Sequence, residues 1–351
     1  MKIISILVVL GMIDFTLVPS DNWAQGRNIE KFSPQTTLRQ TVTITVQDQD
    51  GRKFPMKVKK VGKHLIYQDD IVIAEDSVQG AVGIRRFLRW KDGIIPYFIS
   101  QSHPYRTEIL RAIETLNKNT VLWYRPATSV GSSHISITRG DGCYSGIGEP
   151  VVGDSQNVSI GPGCSSQGVI IHELLHAAGL FHEQARDDRD KYVKIFWDNI
   201  QPSERDNYEK APWYSKDIGY YNFSSIMHYG CKDFAIDPTK KTMASIDRSA
   251  FGQRTGLSAG DVDAIRAMYY NVSPNRGKPA MTPDPLPRLV FPPECAPPPI
   301  PPATQAQCEE WRAQIKEIMS EVNSAQSVNE RKELLKAAGQ LRRTLESRGC
   351  N

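Results

Sequence analysis

The chain has 351 residues, of which 40% are hydrophobic and 23% charged, with a formal net charge of +4. It is too long for one average domain and too rich in apolar residues to remain disordered. The positive charge is spread without a long Lys/Arg run, which excludes the electrostatic footprint of a nucleic-acid binder.

Residues 1–24 read as a signal peptide: Met1-Lys2, a mostly apolar stretch from Ile3 to Val18 broken by Asp14, then small and polar residues. The apolar core is too short for a bilayer span, and no other segment approaches that length, so an exported chain (extracellular or periplasmic) without a stable membrane span is expected. Residues 25–80 are cysteine-free, with alternation in Thr41-Val42-Thr43-Ile44-Thr45-Val46 and a turn signal at Asp48-Gln49-Asp50-Gly51, and read as β-rich or loosely ordered. Residues 81–272 form the next unit. Within it the spacing of Ile109, Leu110, Ile113 and Leu116 predicts a helix over 105–119, and His134-Ile135-Ser136-Ile137 alternates like an edge strand. The interleaving points to an α+β fold.

Prolines dominate residues 273–303, which predicts a stiff, extended linker. Residues 304–351 carry two helical stripes, Trp311, Ile315, Ile318 and Val322, then Leu334, Leu341 and Leu345. A hairpin of these helices would bring Cys308 beside Cys350 and predicts a disulfide there. The six cysteines are even in number, and none forms a Cys-x-x-Cys pair, so disulfides are expected rather than a thiolate metal site. Asn157, Asn222 and Asn271 begin glycosylation triplets.

The chemistry concentrates in His172-Glu173-Leu174-Leu175-His176-Ala177-Ala178-Gly179-Leu180-Phe181-His182-Glu183. Residues four apart share a helix face, so His172 and His176 can present two imidazoles to one ion, while Glu173 on the adjoining edge can act on a water as general base. Gly179 can take the left-handed conformation that ends a helix and turns the chain back, which lets His182 meet the same ion. Three nitrogen ligands and an open position describe a catalytic Zn2+ site, one ion per chain.

Downstream lies Ser225-Ile226-Met227-His228-Tyr229. The extended histidine motif followed by this methionine turn resembles the metzincins, and Glu183 directly after the third histidine resembles the astacin family within them. The resemblance extends over most of residues 81–271, through Trp90-Lys91-Asp92-Gly93-Ile94-Ile95-Pro96-Tyr97, Arg186 to Ile195, and Gly252-Gln253-Arg254 with Leu257-Ser258. It implies a two-lobed zinc endopeptidase acting on protein or peptide substrates, with Met227 as a hydrophobic floor under the metal. It also implies that Tyr229 is an extra zinc ligand in the resting enzyme, which then swings to hydrogen-bond the oxyanion. Cys143 and Cys164 match one family disulfide; Val121 and Asn271 stand where the other would be. With Cys308 assigned to Cys350, Cys231 and Cys295 are left to each other by exclusion.

Tyr67-Gln68-Asp69-Asp70-Ile71 resembles the family's prosegment motif, with Tyr67 and Asp69 in place of the usual Phe and Gly. The resemblance makes residues 25–80 a prosegment with Asp70 as the carboxylate that blocks the zinc in the zymogen. Cleavage by an activating protease near Gly80-Ala81, with Arg85-Arg86 as a competing site, would free an ammonium to pair with Glu183. Arg254 offers a guanidinium to acidic residues just after the cut, or serves as a structural ion-pair residue. The alternative reading from another class is an exported binding protein with a vestigial zinc site, and a non-proteolytic zinc hydrolase is a third. Oligomeric state, natural substrate and host are not legible in the sequence.

Overall fold

The computed structural model describes residues 40–47, 53–61, 64–75, 82–83, 89–128, 133–150, 155–211, 215–270, 277–296 and 304–324, with isolated positions as far as 341. The expected signal peptide, both expected cleavage sites, Asn271 and Cys350 lie outside the described residues.

Strands β1 (Gln40–Gln47), β2 (Lys53–Val61), β3 (His64–Tyr67), β4 (Ile71–Glu75), β5 (Val82–Gly83), β6 (Ile94–Ile99), β7 (Trp123–Pro126), β8 (His134–Thr138), β9 (Cys143–Gly146) and β10 (Ser155–Ile160) make one ten-stranded mixed sheet in the order β5-β1-β2-β3-β4-β9-β10-β8-β6-β7. β10, β8, β6 and β7 are parallel, and β9 runs antiparallel to β10. The edge position expected for His134 to Ile137 is corrected: β8 is paired on both sides, to β10 and β6. Ile135 and Ile137 face the core while His134 and Ser136 are half-buried on the other face, and that alternation is the same for an edge strand and for an interior strand with one wet face.

Helices α1 (Arg106–Asn119) and α2 (Gln167–Ala177) pack against this sheet. α1 buries Ile109, Ala112, Ile113 and Leu116, its one apolar stripe. α2 is buried from Gly168 to Ala177, as expected of a helix apolar on nearly every side. A second core gathers Tyr208, Tyr221, Tyr229, Phe234 and Phe251 beside the ribbon of β11 (Val193–Ile195) and β12 (Met243–Ser245). Met227 belongs to the first core and Tyr229 to the second, so the methionine turn spans the two.

The segment 40–75 is part of the sheet. β1 to β4 form an antiparallel meander, and β4 pairs parallel to β9, with Ile71 opposite Ser145 and Val72 opposite Gly146. Without β4, β9 would expose a row of unpaired backbone groups.

The expected linker is described over residues 277–296, where it is extended. Proline content fixes an extended backbone but not whether water or protein surrounds it, and here the strand is laid along the domain. Cys295 is joined to Cys231, Pro287 lies against Gly256, and Thr255 Oγ1 accepts from Val290 N at 3.0 Å. Lys278 Nζ donates to Thr120 O and Leu122 O, 2.8 Å each, on either side of Val121. Cys143 is joined to Cys164. Helix α4 (Gln305–Ser324) follows the strap, with Cys308 disulfide-bonded and packed on Trp311 and Ile315. Asn222 is turned inward, its Nδ2 donating to Ser258 Oγ at 2.9 Å, so a glycan on that nitrogen would break an internal contact.

Burial lowers the Lys278 pKa to about 8 from 10.5. Between these values the unfolded chain holds a proton the folded chain has released, so the folded state gains stability as pH rises through that window. The unfolding free energy of the wild type relative to Lys278→Met is expected to grow by on the order of 1 kcal/mol from pH 7.5 to pH 10, discounted for the partial exposure of this lysine. Denaturant titrations at the two pH values measure it, and a flat difference contradicts the assignment.

Candidate metal centre

Ser166 caps the N-terminus of α2, accepting from Val169 N at 3.4 Å. At the other end Gly179 has φ +103°, with Gly179 N on His176 O at 2.7 Å and Leu180 N on Leu175 O at 3.0 Å. This is a Schellman cap, and a Cβ at Gly179 would meet Met268 Cε at 2.8 Å. Tyr124 Oη donates to Leu174 O, Trp90 Nε1 to Ala177 O and Tyr269 Oη to Ala178 O, at 2.6, 2.7 and 2.8 Å, satisfying the last carbonyls of the helix.

The cap turns the chain so that His182 returns to the helix face carrying His172 and His176. Their Nε2 atoms lie 3.0 Å (172 to 176), 3.3 Å (176 to 182) and 3.3 Å (172 to 182) apart. The other ring nitrogens are each held: His172 Nδ1 donates to Ile226 O at 2.9 Å, His176 Nδ1 to Leu180 O at 2.7 Å, and His182 Nδ1 to Gln68 Oε1 at 3.1 Å. With the protons on Nδ1, three Nε2 lone pairs converge on one point, an arrangement that a shared cation relieves. Asp70 enters the same point, Oδ2 at 3.1 Å from His182 Nε2 and 3.4 Å from His172 Nε2, Oδ1 at 3.6 Å from His176 Nε2. Three imidazoles and a carboxylate, all buried, are a zinc donor set.

Glu173 is fully buried, and neither carboxylate oxygen has a hydrogen-bond partner among the described residues. Burial, and then the charge of Asp70, push its pKa well above the ordinary glutamate value. An orphaned carboxyl beside the metal ligands is unstable as a structural element and suited to exchanging a proton with a bound reactant.

Asp70 is delivered by a turn between β3 and β4 in which Gln68 has φ 49° and Asp69 φ 72°. The left-handed backbone at Asp69 favours a glycine, and an aspartate there costs roughly 1 kcal/mol. Tyr229 Oη donates to Gln68 O at 2.7 Å, so with this turn in place the phenol is committed to the segment 68–70. Its ring lies 4.5 Å from that of His182.

The methionine turn is braced by residues to which sequence reasoning gave no role there. Asp261 accepts from Ser225 Oγ at 2.6 Å and Ile226 N at 3.2 Å, and closes a capping box with Ser258 at the start of α3 (Ala259–Met268). Ser258-x-x-Asp261 was the available signal. Gln184 Oε1 accepts from Tyr229 N at 2.9 Å, and Glu183 N donates to Met227 O at 3.0 Å. Arg254, read from the sequence either as meeting acidic substrate residues or as a structural ion-pair residue, donates through Nη1 to His228 O and Gln253 O at 2.8 Å. Glu183 accepts from Asn222 N at 2.7 Å and lies 3.5 Å from Arg186; burial pushes its pKa up to about 7.

The sequence model of the family Astacin (Peptidase family M12A) matches residues 84–270. The chain belongs to the astacin family, a family of zinc metalloendopeptidases. It is 38% identical over 201 residues to zinc metalloproteinase nas-13 of Caenorhabditis elegans, covering 54% of this chain and 44% of that protein. It is 32% identical over 213 residues to human meprin A subunit beta, covering 58% of this chain and 29% of that protein. The match thus spans less than half the length of either relative. Among solved structures it resembles high choriolytic enzyme 1, a hatching enzyme zinc-protease of the medaka Oryzias latipes. That match has 35% identity, covers 52% of this chain and 92% of the other, and has a TM-score of 0.48.

Purified chain dialysed against trace zinc is expected to retain one ion, measured by plasma mass spectrometry. His182→Ala should weaken retention by at least about 100-fold, beyond the range seen for losing an outer-shell partner. Equal retention in that variant would place the ion elsewhere.

Proposed function

We propose that this chain is an exported endopeptidase precursor, in which residues 25–80 are a prosegment, 81–272 the catalytic domain, 273–303 a Pro-rich linker and 304–351 a helical hairpin. The observation that carries the latent state is the position of Asp70 against all three histidine nitrogens. A carboxylate at the metal's fourth position leaves no place for the attacking water, and Gln68 O at the same time occupies the Tyr229 hydroxyl. The disulfides Cys143–Cys164 and Cys231–Cys295 suit an oxidising compartment. Activation by another protease near Ala81 or at Arg85-Arg86 removes the latch, and the new amino terminus supplies the cation that the half-paired Glu183 accommodates.

In the proposed mature enzyme His172, His176 and His182 hold zinc, which supplies Lewis acidity toward the scissile carbonyl and the attacking water. Glu173, free of Asp70, takes the proton from that water as its oxygen bonds to the carbonyl carbon. It then delivers the proton to the amine nitrogen as the C–N bond breaks. The Tyr229 hydroxyl donates to the carbonyl oxygen as negative charge develops there. Substrates are proteins and peptides. The binding-protein reading gives no physical reason for an unpartnered buried Glu173.

Two variants test the scheme on an unfolded protein substrate. After processing, Glu173→Gln is expected to lose at least about 1000-fold in kcat/KM while keeping zinc, and Tyr229→Phe about 10- to 100-fold. The unprocessed wild type should leave the substrate uncut, and processing should release the activity. A processed wild type that holds zinc and cuts no peptide would return the binding-protein reading.

A further inference from the structure

The contact between the segment 40–75 and the rest of the chain is more specific than a latch requires. Lys59 of β2 is buried, at 4% exposure, with Nζ 2.5 Å from Glu204 Oε2 and 3.3 Å from Asn207 Oδ1. Two residues earlier, on the same strand face, Lys57 Nζ lies 2.8 Å from Glu209 Oε1 and 3.4 Å from Asp206 Oδ1. All four receiving groups lie on one segment, the 3-10 helix Pro202–Tyr208 and its exit.

That segment is fixed independently of the lysines. Asn207 Nδ2 donates to Glu204 Oε2 at 2.9 Å, and the next residue, Tyr208, is anchored in the second core with Oη donating to Asp233 O at 2.7 Å. Removing residues 1–80 would therefore leave a held carboxylate and a held amide oxygen without the ammonium between them, as a cation receptor already in shape.

The receptor adjoins the cleft. Tyr67 Oη donates to Lys210 O at 3.1 Å and Gln68 Nε2 to Glu209 O at 3.0 Å, immediately before Asp70 in the chain. Lys59 sits opposite Ile66 in the β2–β3 register. Strand spacings put it on the order of 15 Å from Asp70, or about four residues of extended peptide.

We propose that Glu204 and Asn207, flanked by Asp206 and Glu209, form a substrate subsite in the matured enzyme that takes a lysine or arginine side chain about four residues from the scissile bond. Lys59 fills it in the precursor. This rests on the reading of residues 25–80 as a removable prosegment and of the chain as a peptidase. The side of the scissile bond follows from the direction in which substrate lies along β9.

The test compares kcat/KM for peptides carrying lysine or norleucine at each position three to five residues from the cut, with the matured chain and its Glu204→Gln and Glu204→Lys variants. At one position the wild type is expected to prefer lysine about tenfold. Glu204→Gln should reduce the ratio to about two, and Glu204→Lys should bring it to one or below. Because each enzyme supplies its own reference peptide, a loss of folded protein cancels from the ratio. No lysine preference in the wild type, or one that survives both variants, overturns the proposal. If no peptide is cut, the peptidase reading fails instead. The affinities of the matured chain carrying Glu173→Gln for the two fluorescent peptides then decide: about tenfold tighter lysine binding supports the subsite, and equal affinity overturns it.

Discussion

Three imidazole nitrogens about 3 Å apart, each with its far nitrogen pinned by an acceptor, are a local arrangement that a protein without a cation has no reason to build. Much of the surrounding architecture serves that convergence. The Schellman cap at Gly179 brings the third ring back to the first two, and three aromatic donors hold the carbonyls at the end of α2. Ile226 O fixes the His172 ring, and Asp261 fixes Ile226 N. Through Asp261 and its capping box the ligand geometry is tied to α3, and through Tyr269 α3 is tied back to α2.

The second consequence concerns the sheet edge. A sheet edge left without a neighbour offers unpaired backbone groups that invite uncontrolled pairing. Here β4 occupies β9, and the same turn that starts β4 carries Asp70 to the histidines. One meander thus covers the edge and, in our reading, fills the fourth metal position. Its lysines meet a carboxylate-rich segment, Lys59 on Glu204 and Lys57 on Asp206 and Glu209.

How much of this was legible in the sequence follows from which constraints are local. The spacing of His172, His176 and His182 about Gly179 is a property of one helix and its cap, so the residues alone place the rings together. The helix of residues 106–119 is equally local, since its stripe of Ile109, Ile113 and Leu116 repeats at helical period. The rank of β8 within the sheet was not legible, because pairing partners are set by the whole topology and alternation reports only the two faces. Residues 277–296 were legible as extended and, by the exclusion that pairs Cys231 with Cys295, as tied to the domain at that end; the anchors of Lys278 were not, since they are backbone carbonyls that no side-chain pattern marks. Arg254 shows the same limit: a guanidinium serves a substrate carboxylate or a backbone carbonyl equally well, and only the fold puts His228 O within its reach. The pairing of Lys59 with Glu204 joins residues 145 positions apart and has no sequence signature.

In our reading the Asp70 carboxylate and the three histidines share one ion in the precursor. Zinc-edge X-ray absorption on the zinc-loaded, unprocessed chain tests it directly, beside the same measurement on Asp70→Ala. The account predicts three imidazole scatterers and one carboxylate oxygen in the wild type, with the carboxylate contribution lost in the variant. Identical spectra from the two proteins would contradict it.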